Sequence, residues 1–341
     1  MKNLKKLLVM LMVMTLTLGL IGCGTKNTGN NSNSSNNSET NNGTPEAEVT
    51  KEPEVTEEPE ATEEPVQSTE VTYPVEVTDS NGTVITIEAA PEKIVSVAPN
   101  MTELIFALGD GDKLVGRTEY CDYPEEALSV QTIGTLYTPD IEAIVALEPD
   151  LVLVSTHVSE EDIAKLRDLG ITVMSLYEEN DIYGVYPMIE TLGTVLNRVE
   201  EANTLVQNMK DTFDEIASAI SGQEQPTVYY VVGYGENDYT AGGDTFVNGL
   251  ITLAGGDNIA KDVSGWSYSI ESLLEADPDI IIVRSGEAAN FMATEKYADL
   301  TAVKEGHVYE VDTNGLIDRQ GYRNAEGVKE LAKIFHPDVV K

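Results

Sequence analysis

Asp140–Val154 reads DIEAIVALEPDLVLV, and Ser269–Val283 reads SIESLLEADPDIIIV. Glu142 aligns with Glu271, Pro149 with Pro278 and Asp150 with Asp279, and each copy closes on an aliphatic, β-branched-rich run. A polar cap, a short apolar-periodic segment and then a continuous apolar run describe a helix leading into a buried strand. A unit written twice at this scale predicts two similar lobes rather than a solenoid, which needs three or more short repeats.

Outward from each copy the same alternation continues. KIVSVAP reads as a buried strand, and NMTELIFALGDGDKLVG as a helix with Asn100 or Thr102 near its cap, a Gly109 stop and a second strand. SEEDIAKLRDLGITVMSL repeats helix and strand. In the second half PTVYYVVGYG, DTFVNGLITLAGGDNIA and KEGHVYEVD follow the same order, and NAEGVKELAKIFHPD is a last amphipathic helix. Such alternation predicts an α/β fold with parallel-rich sheets. A hairpin around Asn81-Gly82 in YPVEVTDSNGTVITIEA opens the folded part.

Between the lobes, residues 186–221 place Ile189, Leu192, Leu196, Val199, Val206, Met209, Phe213, Ile216 and Ile220 at steps of three, four or seven. The spacing predicts one long amphipathic helix joining the lobes, a stiff hinge that limits opening. The alternative is a coiled-coil dimer helix, but the polar face lacks a sustained charge pattern. The expected domains are therefore an N-terminal lobe over 73–185, the linking helix over 186–221 and a C-terminal lobe over 222–341.

The first 22 residues read as a signal: Lys2, Lys5 and Lys6 precede an apolar run that ends in LIGC at Cys23. LIGC has the form of a bacterial lipobox, with Cys23 as the lipidated residue; the alternative is an uncleaved anchor with an incidental cysteine. Residues 23–72 pass from Asn/Ser/Gly to Thr/Glu/Pro with near-repeats of EVTEEPEATEEP, a composition without a core and suited to an extended tether. A long spacer suits a thick Gram-positive wall. With Cys23 lipidated, Cys121 has no disulfide partner, because the chain holds 2 cysteines. Loss of the three signal lysines takes the net charge from −38 to −41, which opposes binding to nucleic acid or anionic lipid.

The stretches from Lys93 to Pro337, with the lipobox and tether in front, resemble the substrate-binding proteins of ABC importers for vitamin B12 and ferric chelates, the class whose lobes are bridged by one long helix. The resemblance implies a ligand cleft between the lobes. It also implies that Glu142 and Glu271 dock on arginines of a permease dimer, which works with an ATPase. One charge per lobe suits a two-fold partner; the alternative for each glutamate is helix capping alone. The resemblance implies no intrinsic cofactor and a monomeric protein that meets the membrane through its lipid only.

Ligands in open parallel sheets meet loops at the carboxyl ends of strands. By that rule the candidates are Tyr120, Tyr137, Tyr239, Trp266, Arg319 and Arg323. Flat aromatic faces suit a large planar or amphipathic ligand such as a corrinoid, a haem or a catecholate siderophore. Tyr120, Tyr239 and Trp266 stand at or next to aromatic positions of B12-binding members, with Trp266 displaced by about one position. The arginines suit carboxylates or an anionic chelate. His157 is a candidate axial metal ligand or a polar loop residue, and Cys121 a metal ligand or a small packed thiol. The 3 histidines are scattered, so a bare metal site is not expected and a metal should arrive chelated. The tyrosine pattern and EYCDYPEEA favour a corrinoid over a ferric chelate.

No G-x-S-x-G elbow, Walker-type loop or complete G-x-G-x-x-G is present, so an enzyme is not the expected class. A surface adhesin would share the anchor and tether but has no need of two duplicated lobes with an aromatic gap.

Overall fold

The computed structural model describes residues 70–178 and 180–341. The expected signal, Cys23 and all but the end of the tether lie outside the described residues. The fold opens with the hairpin β1 (Val75–Thr78) and β2 (Val84–Ile87), paired antiparallel with Thr78 opposite Val84. Its turn is wider than a two-residue Asn-Gly turn: Asp79 Oδ1 accepts from Asn81 N at 3.0 Å and Thr83 N at 2.8 Å, and Gly82 takes φ +77°.

The first lobe runs β3 (Ile94–Ser96), α1 (Pro99–Ala107), β4 (Leu114–Arg117), α2 (Ile141–Ala146), β5 (Leu151–Val154), α3 (Glu160–Asp168) and β6 (Val173–Ser175). Helices α4 (Val185–Leu196) and α5 (Val199–Ala219) follow. The second lobe begins with β7 (Thr227–Tyr230), β8 (Asp238–Tyr239), α6 (Phe246–Leu253), β9 (Asp257–Asn258) and β10 (Ser267–Tyr268). It continues with α7 (Ile270–Ala276), β11 (Ile280–Arg284), α8 (Ala288–Met292), α9 (Thr301–Glu305), β12 (Val308–Val311), α10 (Thr313–Leu316) and α11 (Asn324–Phe335).

Two four-stranded parallel sheets result, ordered β4-β3-β5-β6 and β9-β7-β11-β12. Each has its second strand outside its first, then its third and fourth, so the lobes share one topology. Strands β3 and β5 are buried throughout, which explains the unbroken apolar sequence of β5, while Ser96 of β3 satisfies its hydroxyl by donating to Ala98 O at 2.8 Å. Side chains still alternate by face. Leu151 and Leu153 join one cluster, while Val152 and Val154 join another with Ile144, Ile163 and Leu166. The cluster holding Leu151 and Leu153 does not end at the lobe. It runs on through Leu192, Val206 and Phe213 to Val228, Ile282 and Leu331 of the second lobe. The linking helices and the inner faces of both sheets thus share one core, which is the physical source of a stiff connection.

The expected single helix over 186–221 is two helices. Asn197 adopts the left-handed conformation (φ 57°, ψ 44°) and ends α4, as asparagine does at such caps. The chain turns so tightly at Arg198 that a Cβ on Gly193 would overlap Ala202. The apolar spacing passes through this break without a gap, so periodicity hides it. A smaller correction concerns α1: Ala98 is its N-cap, with Pro99 in the first turn, and Asn100 and Thr102 lie buried inside it.

The duplicated unit performs the same local work twice. Glu148 (φ 50°) and Asp277 (φ 39°) both turn left-handed before their prolines, taking the chain from helix to strand. The aspartates after the prolines pin the start of the neighbouring strand. Asp150 Oδ2 accepts from Glu92 N and Lys93 N, both at 2.9 Å. Asp279 Oδ2 accepts from Thr227 N at 2.8 Å and Thr227 Oγ1 at 2.6 Å. Asp150→Ala and Asp279→Ala should each lower the unfolding free energy by about 1–2 kcal/mol, the worth of charge-assisted bonds at a wet site. Urea titration should show a lower midpoint with an unchanged slope.

Candidate functional site

The carboxyl ends of the two sheets face one another across a cleft of about 910 Å³. In the first lobe its wall includes Ala98, Pro99 and Asn100 after β3, and Ser155, Thr156 and His157 after β5. These adjacent strands send the chain in opposite directions, the switch point where open α/β sheets bind ligands. In the second lobe the start of α6, the end of β11 and the loop after α10 complete the wall.

Tyr120, Tyr137 and Trp266 line the cleft. Tyr137 is 60% and Trp266 43% exposed, so both rings have free faces. The spacing that relates Glu142 to Glu271 also relates Tyr137 to Trp266, so the two lobes offer one aromatic each from equivalent places. Tyr137 meets the His157 ring edge-on, with centroids 5.1 Å apart, and His157 Nδ1 lies 2.9 Å from Thr156 Oγ1. His157 also lines the cleft. Tyr120 is positioned by Arg117, whose buried guanidinium donates to Ala127 O (2.6 Å), Thr118 O (2.9 Å) and Leu128 O (3.2 Å) and so folds the loop after β4. Trp266 is held by Asp244, which accepts from Gly265 N at 2.7 Å and from Ser264 Oγ. Those two bonds, Ser264 first, hold the Asp244 carboxyl below its usual range.

Arg319 lines the cleft, but its guanidinium is already engaged. Nη1 donates to Glu103 Oε1 at 2.8 Å and Asp122 Oδ1 at 2.7 Å, and Nη2 to Tyr120 O at 3.2 Å. All three acceptors belong to the other lobe. Arg323 is absent from the lining and stands behind it. Its guanidinium lies 3.9 Å from the Tyr123 ring centroid and 3.6 Å from Glu103 Oε2. Gln320 adds a third crossing, accepting from Glu178 N at 2.8 Å. The arginines read from sequence as ligand anchors are thus bonded across the lobes. Tyr239 lies on β8, opposite Ser267 of β10, and is not a lining residue. Cys121 is buried, its Sγ 3.2 Å from Thr118 Oγ1. Among the described residues, no group of three or more His, Cys, Asp or Glu is placed to hold a metal ion.

Glu142 and Glu271 are exposed in the first turns of α2 and α7, away from the cleft wall. Their helices are capped by other residues: Asp140 Oδ1 accepts from Ala143 N, and Ser269 Oγ from Ser272 N, each at 3.0 Å.

The family model described as periplasmic binding protein matches residues 94–314. The chain belongs to the periplasmic binding protein family. Within the family it is 37% identical over 278 residues to the uncharacterized ABC transporter substrate-binding lipoprotein YvrC of Bacillus subtilis, covering 79% of this chain and 87% of that one. A cobalamin-binding protein of Halobacterium salinarum is 33% identical over 279 residues, 77% of this chain and 74% of its own length. The crystal structure of the vitamin B12 binding protein BtuF of Vibrio cholerae superposes with a TM-score of 0.63 at 26% identity, covering 72% of this chain and 96% of that one.

Sequence reasoning missed Glu103, although a lone carboxylate inside the apolar run of α1 is a signal in itself. A buried charge needs a buried partner. Burial raises the Glu103 carboxyl above its ordinary 4.5, with the bond and charge of Arg319 and the charge of Arg323 working against the rise. A raised folded pKa means that the native state binds this proton more tightly than the unfolded chain. Its contribution to stability is full below 4.5 and is lost as pH rises through the folded value. Relative to Glu103→Gln, the wild-type protein should therefore gain unfolding free energy on acidification across that window. Urea unfolding over a pH series measures this, and the opposite slope would mean that the arginine pairs outweigh burial.

Proposed function

We propose that this chain is the extracytoplasmic substrate-binding component of an ABC importer, and that its cleft receives a corrinoid. The carrying observation is the chemistry of the wall. Two equivalent aromatics, Tyr137 and Trp266, offer flat faces, while the charge of the lining is acidic. Glu119, Asp122, Asp244 and Asp318 stand against Arg284 and Arg319. Arg319 is bonded to the facing lobe, and Arg284 lies 3.9 Å from Asp318. A polyanionic ferric tricatecholate would find little uncommitted positive charge here. A corrinoid carries uncharged carboxamide arms and a broad apolar ring, which suit aromatic faces with acceptors around them. The relatives named for cobalamin support the same choice.

A second reading has its own observation. His157 lines the cleft beside Tyr137, and a haem iron or a corrin cobalt takes an imidazole ligand. Haem is thus the alternative cargo, with its propionates left to Arg284.

In this reading Cys23 carries the lipid, residues 23–72 tether the lobes to the outer face of a Gram-positive membrane, and the protein acts as a monomer without catalysis. Glu142 and Glu271 dock on a two-fold permease served by an ATPase. The match to a Bacillus subtilis lipoprotein supports this setting.

Trp266 is the 1 tryptophan of the chain, so its fluorescence reports the cleft alone. Cyanocobalamin should quench it saturably at one-to-one stoichiometry, with native mass spectrometry as the check. Ferric tricatecholates should not. Tight binding of haem with none of cobalamin would move the cargo to the second reading. Glu142→Arg combined with Glu271→Arg should leave the titration unchanged and abolish uptake in cells. A weakened titration would place these residues in ligand binding instead.

A further inference from the structure

Helix α1 starts in the cleft wall with its first turn unsatisfied. Its N-cap is Ala98, whose side chain offers no acceptor. Pro99 carries no N–H, so the first free donors are the backbone N–H groups of Asn100 and Met101. Neither meets an acceptor among the described residues. Thr102 N is the first to find one, Ala98 O at 3.1 Å. The hydroxyls close by are spent elsewhere: Ser96 Oγ donates to Ala98 O at 2.8 Å, and Thr102 Oγ1 to Ser96 Oγ at 2.9 Å. The start of α6, also in the wall, differs, because Thr245 caps it by accepting from Asn248 N.

A helix start alone defines no site, but Asn100 adds a side chain to this one. Asn100 lines the cleft while only 8% exposed, and its amide has no hydrogen-bond partner among the described residues. A buried primary amide without partners is costly, since it takes N–H donors and a carbonyl acceptor out of water together. In a cavity wall such a group finds its partners in a ligand. The set on offer is thus backbone N–H donors, side-chain N–H donors and one carbonyl acceptor.

We propose that Asn100 and the start of α1 form a subsite for a primary carboxamide of the ligand, and that this subsite selects amidated corrinoids over their carboxylic acids. The inference rests on the corrinoid reading and deepens it. The ligand's carbonyl oxygen accepts from the free N–H groups or from Asn100 Nδ2, and its NH2 donates to Asn100 Oδ1. A carboxylate would satisfy the donors, and the positive end of the helix favours it. It has no proton for Oδ1, however, which then stays buried without a donor. It also enters a wall that already carries Glu119, Asp122, Asp244 and Asp318. The carboxamide meets both halves of the asparagine and adds no charge. The Ser96 and Thr102 bonds fix the turn, so the donors are in place before the ligand arrives.

The test compares cyanocobalamin with a set of its monocarboxylic acids, each with a single carboxamide hydrolysed, at neutral pH on the full chain. Affinity is read from Trp266 fluorescence and checked by native mass spectrometry. One member of the set should bind the wild-type protein about tenfold more weakly than cyanocobalamin, the effect of losing one buried hydrogen bond. Asn100→Ala should weaken cyanocobalamin about tenfold and erase the difference between it and that acid, because both changes remove the same interaction. Asn100→Asp should widen the difference instead, by repulsion between carboxylates. An acid at a helix start is favourable, so this variant keeps the test open even if Asn100→Ala does not fold. Equal wild-type affinity for cyanocobalamin and every acid in the set would overturn the subsite and leave the corrinoid reading standing. So would a difference that both variants leave unchanged. Absence of corrinoid binding to the wild-type protein would overturn the subsite and the corrinoid reading together.

Discussion

The contact between Glu103 and Arg319 ties the site to the fold. Glu103 projects from the first helix of one lobe, and Arg319 reaches it from the last loop of the other at 2.8 Å. A carboxylate this deeply buried is costly alone, and its two arginines come from across the cleft. The pair therefore fixes the approach of the lobes as well as its own energy. Because Arg319 also bonds Asp122 and the carbonyl of Tyr120, the same guanidinium sets the loop that brings Tyr120 to the cleft. It also commits one of the two arginines of the cleft lining to the facing lobe.

The duplicated unit explains the rest of the architecture. In each lobe one continuous segment carries an aromatic for the cleft, a capped helix with an exposed glutamate, a left-handed turn before proline and an aspartate that pins the next strand. The inner faces of the two sheets share a common core through α4 and α5, while the outer face of each sheet keeps a cluster of its own. Movement of one lobe is thus resisted by apolar packing on the hinge side and by ions on the open side. Such an arrangement favours small-amplitude opening over a wide clamp.

Much of this was legible in the sequence because it is periodic or repeated. Parallel strands buried on both faces write themselves as apolar runs, and the duplication exposed Glu142, Glu271, Asp150 and Asp279 together. What escaped depended on single residues or on contacts distant in sequence. Asn197 breaks the linking helix without breaking its apolar spacing, since a left-handed cap changes direction but not composition. The cross-lobe partners of Arg319 and Arg323 escaped because nothing local announces a partner some two hundred residues away. Tyr239 read as a wall residue from its loop, yet pairing with Ser267 makes it a strand residue outside the lining. The equivalence of Tyr137 and Trp266 was written in the same spacing as the glutamates but fell outside the best-matched letters.

We propose that Arg319 holds the lobes together and does not hold the ligand. A crystal structure of the protein with cyanocobalamin bound tests it most directly. The account expects the corrin ring against Tyr137 and Trp266, with the Arg319 guanidinium still bonded to Glu103 and Asp122. An Arg319 swung onto the ligand, with Glu103 left to Arg323 or to solvent, would contradict it.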